Sequence, residues 1–183
     1  MTEIEAAAAR ISELAVSIKT YSHMDRSAAH QPTNVPVGVY NTLTMLGHKL
    51  RTKSIEVVKE YQDDLSLVPG NAGELNQVWA NLIDNAIDAM DERGRLLIKA
   101  RLTALWVEVE IVDDGPGIPE KIREQIFEPF FTTKDIGAGT GLGLGIAHRI
   151  VATQEGHIEV SSKPGETVMR LRLPLVRSAH APT

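Results

Sequence analysis

No cysteine occurs among the 183 residues. Disulfides, thiolate metal sites and cysteine nucleophiles are thereby excluded, and a reducing compartment is permitted. No apolar run reaches the roughly 18 residues of a membrane span, and the N-terminus lacks the apolar centre of a signal peptide. The expectation is a soluble, cytoplasmic chain. Positive charge is not in excess: 19 Lys and Arg against 24 Asp and Glu leave a net charge of −5. That balance argues against a nucleic-acid or anionic-membrane partner. Aromatic residues make up only 4% of the chain, yet all three Phe fall at positions 127, 130 and 131. From Glu60 to Glu92 there is neither Lys nor Arg.

With 43% hydrophobic residues, the chain suits one globular domain plus an appendage. Residues 3–25 read as a helix, with Ile4, Ala7, Ile11, Leu14, Ile18 and Tyr21 in the 4-3-4-3 rhythm of a bundle seam. A dimer-forming helix and a helix lying on its own domain both fit that pattern. "AAHQPTNVP" (28–36) predicts a linker. Beyond it, Val39, Leu43, Leu46 and Leu50 mark a helix face, and 54–61 reads as a strand. A long helix is expected over 72–91 and paired strands over 95–102 and 106–113, the second alternating cleanly. A short helix should open near Pro119 and another should cover 142–154, before two closing strands, "HIEVSS" and "TVMRLRLP". Such an order predicts an α+β fold with helices on one face of a mixed sheet. The expected division is helix and linker over 1–30, one domain over 31–176, and a flexible tail over 177–183.

On the long helix, Leu75, Val78, Trp79, Leu82, Ile83, Ala86 and Met90 gather on one side, and Gln77, Asn81, Asp84, Asn85 and Asp88 on the other. A solvated face favours Glu and Lys, whereas each Asn costs about 0.5 kcal/mol of helix propensity. No i,i+4 ion pairs can support the stripe either. A hard cation such as Mg²⁺, taken beside phosphate and water, would accept these oxygens; a plain solvated face stays open as the alternative. "VDDGPGIP" (112–119) ends a strand in two carboxylates and turns on glycines. A turn of this composition is common and by itself marks only a turn; used as a site, its carboxylate suits an exocyclic amine, and so adenine over guanine. The phenylalanines of "IFEPFFTTK" read as a local hydrophobic anchor, after which Lys134 either reaches a terminal phosphate or is solvated. Glycine recurs at every other position from Gly137 to Gly145. Neither GxGxxG nor GxxxxGK[ST] fits. GxGxG opening a helix remains, a backbone surface suited to phosphate oxygens, with a merely flexible loop as the alternative.

In order, "NLIDNAIDA", "DDGPGIP", "FEPFFTTK" and "GTGLGLGI" resemble the four boxes of the sensor histidine kinase catalytic domain. That domain belongs to the ATP-binding superfamily shared with gyrase, heat-shock chaperones and mismatch-repair ATPases. The resemblance covers about 37–175 and implies a two-layer α/β sandwich of the GHKL (Bergerat) type, preceded here by a bundle helix. It further implies Asn85 as the Mg²⁺ ligand with Asn81 as helper, and Asp113 holding the adenine amine. Gly115, Gly117 and Ile118 would border the base. Gly139, Thr140, Gly141, Leu142 and Gly143 would line the triphosphate, with Thr133 and Lys134 near its end and Thr167 closing the adenine pocket. The cofactors implied are ATP and Mg²⁺. The partners implied are a histidine-bearing helix of the same or a sister kinase chain, a downstream response regulator, and a second copy through the N-terminal helix.

Two departures qualify the resemblance. ATPase branches of the superfamily carry a water-activating glutamate where Asn81 stands, and an amide is no general base. No histidine lies in a His-Glu/Asp-x-x-x-Pro box: His23, His30, His48, His148, His157 and His180 all fail. The expectation is therefore a histidine kinase catalytic domain that cannot autophosphorylate alone, either a piece of a larger kinase or a protein that phosphorylates a partner. A serine/threonine kinase of the anti-sigma-factor type and a non-catalytic nucleotide module remain as alternatives.

Overall fold

The computed structural model describes residues 31–65, 67–134 and 139–175. The expected N-terminal bundle helix, the tail and residues 135–138 of the glycine segment lie outside these. Among the described residues there are seven strands and four α-helices: β1 (Gln31–Thr33), α1 (Val35–Met45), α2 (Gly47–Thr52), β2 (Glu56–Tyr61), β3 (Val68–Gly70), α3 (Ala72–Ala89), β4 (Arg95–Leu102), β5 (Trp106–Asp113), α4 (Gly143–Thr153), β6 (His157–Lys163) and β7 (Glu166–Pro174). Five strands make one sheet in the order β2-β4-β5-β7-β6. Only β2–β4 is parallel, since a helix returns the chain between those strands.

Inward-facing residues of the sheet follow the strand period. Leu96, Ile98 and Ala100 of β4, Val107, Val109 and Ile111 of β5, and Met169, Leu171 and Leu173 of β7 are all buried. Against them pack α3 and α4, with α1 beside α3. The expected core face of α3 is buried throughout, Trp79 and Ile83 completely. This is the predicted α+β arrangement, with helices on one face of a mixed sheet. The other face is laced by charge. Glu108 lies opposite Arg172 and Glu110 opposite Arg170, and both arginines bond their partners at 2.8–2.9 Å.

Three local readings need correction. Residues 31–36 are not linker: β1 pairs antiparallel with β3, and the Asn34 side chain caps α1 by accepting from Val37 N–H. The single helix face through Leu50 is divided at Leu46 between α1 and α2. Pro119 opens only a three-residue 3₁₀ turn, Glu120–Ile122, and stands at its N-cap with extended ψ rather than inside it.

Helix α3 ends on a borrowed cation. Lys53 Nζ donates to the carbonyls of Ile87 at 2.9 Å and Met90 at 2.7 Å, where the helix has spare acceptors and partial negative charge. Lys53→Met keeps the stem and removes the ammonium. It should lower unfolding free energy by roughly 1–2 kcal/mol, read as a lower urea midpoint at unchanged slope. An unmoved midpoint would mean the cap contributes nothing.

Candidate functional site

The strand period carries on past the core into polar residues. Asp113 continues the inward series of Val107, Val109 and Ile111, and Thr167 continues that of Met169, Leu171 and Leu173. The β5–β7 register sets the two opposite one another. Asp113 is 6% exposed and Thr167 4%. Burial pushes the Asp113 carboxyl up to about 6, against the pull of the Gly115 N–H and with a push from neighbouring Asp114. Its Oδ1 accepts that N–H at 3.0 Å. The result is a carboxylate at the end of a sheet with unused acceptor capacity.

Glycines are needed where the turn closes on this pair. A Cβ at Gly115 would meet Asp113 Oδ1 at 2.8 Å and the Ala89 carbonyl at 3.1 Å. Gly117, at φ +84°, would clash with the Lys163 carbonyl at 2.5 Å. Ile118 packs on the core edge, and its N–H donates to Ser162 Oγ at 2.7 Å. Arg123 staples the same loop, donating to the carbonyls of Ile118 and Ser162.

At the other end of the α3 stripe stands the glycine segment. A Cβ on Gly143 would come within 3.4 Å of Asn81 Oδ1, so the N-terminus of α4 lies against Asn81. Leu142 occupies the N-cap and offers no oxygen, leaving the first amides of α4 without a side-chain cap. Leu142 itself is 2% exposed and belongs to the hydrophobic core, so its side chain is not offered to a ligand. Asn81 Nδ2 is buried without a partner. Asn85, one turn on, is half-buried, as are Gly139, Thr140, Gly141 and Gly143, whereas Thr133 is exposed.

The cations absent from α3 come from elsewhere. Lys49 of α2 meets Asp84 at 2.5 Å and also Asp88, and Lys134 meets Asp88 at 2.5 Å. Burial raises the Asp88 carboxyl, but Lys134 and Lys49 more than reverse this and hold it below its ordinary range. Lys134 thus rests on α3 beside the asparagines. Two stripe carboxylates are engaged by lysine, and no cluster of three His, Asp or Glu suited to a metal exists among the described residues. A divalent ion here would have carboxamide oxygens and would take its other ligands from phosphate and water, the habit of Mg²⁺.

The phenylalanine cluster divides. Phe127 and Phe131 pack against the core, Phe127 also stacking near His148 at 5.2 Å. Phe130 is 63% exposed and held at φ +68°, a costly conformation for a bulky side chain. Its N–H donates to Gly141 O at 2.9 Å, tying it to the glycine segment. The reading of all three as one anchor is corrected at Phe130. Composition could not single it out, because the three rings differ only in backbone direction. Ser162 and Lys49 were also missed, neither standing within the motifs.

A family model described as histidine kinase-, DNA gyrase B-, and HSP90-like ATPase matches residues 70–177. The chain belongs to this family and carries the catalytic ATP-binding domain of two-component sensor histidine kinases. It is 39% identical over 76% of its length to the two-component sensor PprA of Pseudomonas aeruginosa. Over 65% of its length it is 37% identical to the sensory histidine kinase/phosphatase NtrB of Rhodobacter capsulatus. It spans only 16% and 37% of those proteins. Among solved structures, the catalytic domain of histidine kinase ThkA aligns with a TM-score of 0.74 and 30% identity, over 81% of this chain and 97% of that one. ThkA in complex with the response regulator TrrA aligns with a TM-score of 0.79 and 26% identity, over 97% of this chain and 51% of that one. No helix among the described residues is long and apolar enough to cross a membrane.

Proposed function

We propose that this chain binds Mg²⁺-ATP and presents the γ-phosphate to a histidine nitrogen on the helix hairpin of a sensor kinase. The observation that carries the reading is the buried Asp113–Thr167 pair, 6% and 4% exposed, at one end of α3, with the uncapped α4 N-terminus at Asn81 farther along it. Asp113 accepts from the exocyclic amine, and Gly115, Gly117 and Ile118 border the base. The amides of 139–143 take phosphate oxygens, helped by the positive end of α4. Asn85 and Asn81 hold the metal, which, when bound, neutralises phosphate charge. Lys134, resting on Asp88, lies within one side-chain swing of the same region.

With Asn81 in place of a base, and with Asp84 and Asp88 held by Lys49 and Lys134, the site favours transfer over hydrolysis. Catalysis then consists of positioning and charge neutralisation. The acceptor comes from another segment or chain, and a response regulator would take the phosphate onward. Phe130, apolar, strained and tied to Gly141, is the contact offered to the acceptor helix.

The test supplies a helix hairpin bearing an acceptor histidine together with labelled ATP and Mg²⁺. Acid-labile phosphate should appear on the hairpin and none on this chain alone. Phe130→Ala should keep nucleotide affinity within about threefold while transfer slows by roughly tenfold or more. Acid-stable phosphate on a protein partner would instead support a serine/threonine kinase, and saturable binding without transfer a nucleotide module.

A further inference from the structure

Asp84 and Asp88 stand on the polar stripe of α3 at i,i+4 spacing, with Asn85 between them. Like charges so placed repel. Asp88 is also the penultimate residue of α3, where the helix dipole disfavours a further negative charge. The sequence from Glu60 to Glu92 holds no cation to offset either carboxylate. Lys49 supplies one from α2. Its Nζ meets Asp84 Oδ1 at 2.5 Å and also Asp88 Oδ1. The other oxygen of Asp88 is taken by Lys134 at 2.5 Å. The contacts therefore run Asp84, Lys49, Asp88, Lys134, alternating in sign and summing to zero.

The two lysines are held differently. Lys49 belongs to a helix and bridges two carboxylates. Burial opposes its charge, but Asp84 and Asp88 more than reverse this and lift its pKa above the ordinary lysine value. Lys134 lies outside any helix or strand and meets a single carboxylate among the described residues. In the reading given above, Lys134 is the cation that turns to the terminal phosphate. Once it turns, one oxygen of Asp88 is uncovered, three residues beyond Asn85. A carboxylate left without any cation there would repel the phosphate and draw Lys134 back. Lys49, still on the other oxygen, offsets both effects.

We propose that Lys49 is a positioning residue for γ-phosphate binding: it stays as the counter-ion of Asp88 and so releases the Lys134 ammonium to the nucleotide. This rests on the Mg²⁺-ATP reading of the site. Lys49 also ties α2 to α3, so the test must separate its charge from the tie.

The experiment measures the affinity of the full chain for ADP and for a non-hydrolysable ATP analogue, each with Mg²⁺. Their ratio is the preference for a γ-phosphate, and wild type should favour the analogue. Lys49→Met keeps the stem and removes the charge. It should cut that preference by roughly tenfold, while ADP affinity stays within about threefold of wild type. Lys49→Arg should keep the preference. Asp88→Asn alone should keep it too, since no charge is left to neutralise. Added to Lys49→Met, Asp88→Asn should restore the preference to within about threefold of wild type. Removing a second partner would not rescue a mere tie between helices. A preference retained in Lys49→Met, or not restored by Asp88→Asn, would overturn this proposal alone. So would a preference lost in Asp88→Asn by itself, which would make the carboxylate the group that places Lys134. Equal affinity of wild type for the two nucleotides would also dismiss it, because no γ-phosphate contact would then exist to assist. No saturable binding of either nucleotide by wild type would overturn the Mg²⁺-ATP reading, and this proposal with it.

Discussion

Replacing Asp113 by Asn should nearly abolish nucleotide binding while making the nucleotide-free domain more stable at pH 8. The two effects share one cause. Asp113 is buried at the sheet end, and burial lifts its carboxyl from 3.8 to about 6. A raised carboxyl favours the folded state in its protonated form. That contribution is complete below the unfolded value near 3.8, and it is lost as pH rises through about 6. At pH 8 the fold therefore carries an ionised carboxylate at its full cost, at most about 3 kcal/mol for a shift of this size. Asparagine keeps an oxygen for the Gly115 N–H and removes the charge. A gain of roughly 1–2 kcal/mol, or several degrees in melting temperature, is expected at pH 8. It should shrink toward pH 4.

Binding moves the opposite way. The carboxylate's remaining acceptor is replaced by an amide N–H₂, which faces the amine of adenine donor to donor. Loss of a charged hydrogen bond, with a polar group left stranded, should cost roughly a hundredfold in affinity. In wild type, affinity should also fall as pH drops below about 6 and the proton competes for Asp113. Calorimetric titration with ADP across pH 5–8, beside thermal melts, checks both halves. Asp113→Asn that binds ADP normally would remove Asp113 from the site. Destabilisation at pH 8 would show that the charge is favourably held in the fold.

Gly141→Ala should disable the phosphate loop and leave the domain folded. Gly141 sits at φ +66°, and a Cβ there would lie 2.4 Å from the carbonyl carbon of Phe130 and 2.6 Å from its oxygen. Both atoms are backbone, so relief requires parting the two segments and breaking the Phe130 N–H to Gly141 O bond at 2.9 Å. Adding the left-handed backbone penalty of about 1 kcal/mol for alanine, the loop should abandon this conformation. Nucleotide affinity should drop by roughly thirtyfold or more, with the amides no longer converging on phosphate. Global stability should fall by less than about 2 kcal/mol, because the core lies between α3, α4 and the sheet.

Gly165→Ala separates strain from collision. Gly165 is at φ +83° with nothing within 4 Å of its added Cβ. It should cost about 1 kcal/mol of stability and leave binding unchanged. Equal binding losses in the two variants would show general loosening and dismiss the Gly141 contact.

Much of this molecule was legible along the chain because its signals are periodic and local. Within "WVEVEIVD" the core VEVEI alternates apolar and acidic residues, and β5 occupies the stretch, Trp106–Asp113. The apolar stripe of α3 recurs at helical spacing, and every member of it is buried. The four motif segments were readable as an ordered set, since each is defined by neighbours within a few residues. From the same alternation, Asp113 and Thr167 both belonged on the inner face.

Other features were decided by packing between distant parts of the chain. β1 and β3 have three residues each, too few to show a period, and each exists only because the other lies alongside. Lys49 reaches Asp84 across 35 positions, and Lys134 reaches Asp88 across 46, supplying to α3 the cations its own sequence lacks. Phe130 parts from Phe127 and Phe131 through a backbone turn bonded to Gly141, within the glycine segment. The Ile118–Ser162–Thr167 node joins a loop to two strands. Periodicity records which side of an element meets the core. It carries no information about which polar atoms meet once two elements are pressed together, and in this domain such meetings bring Lys49 and Lys134 onto the polar stripe of α3.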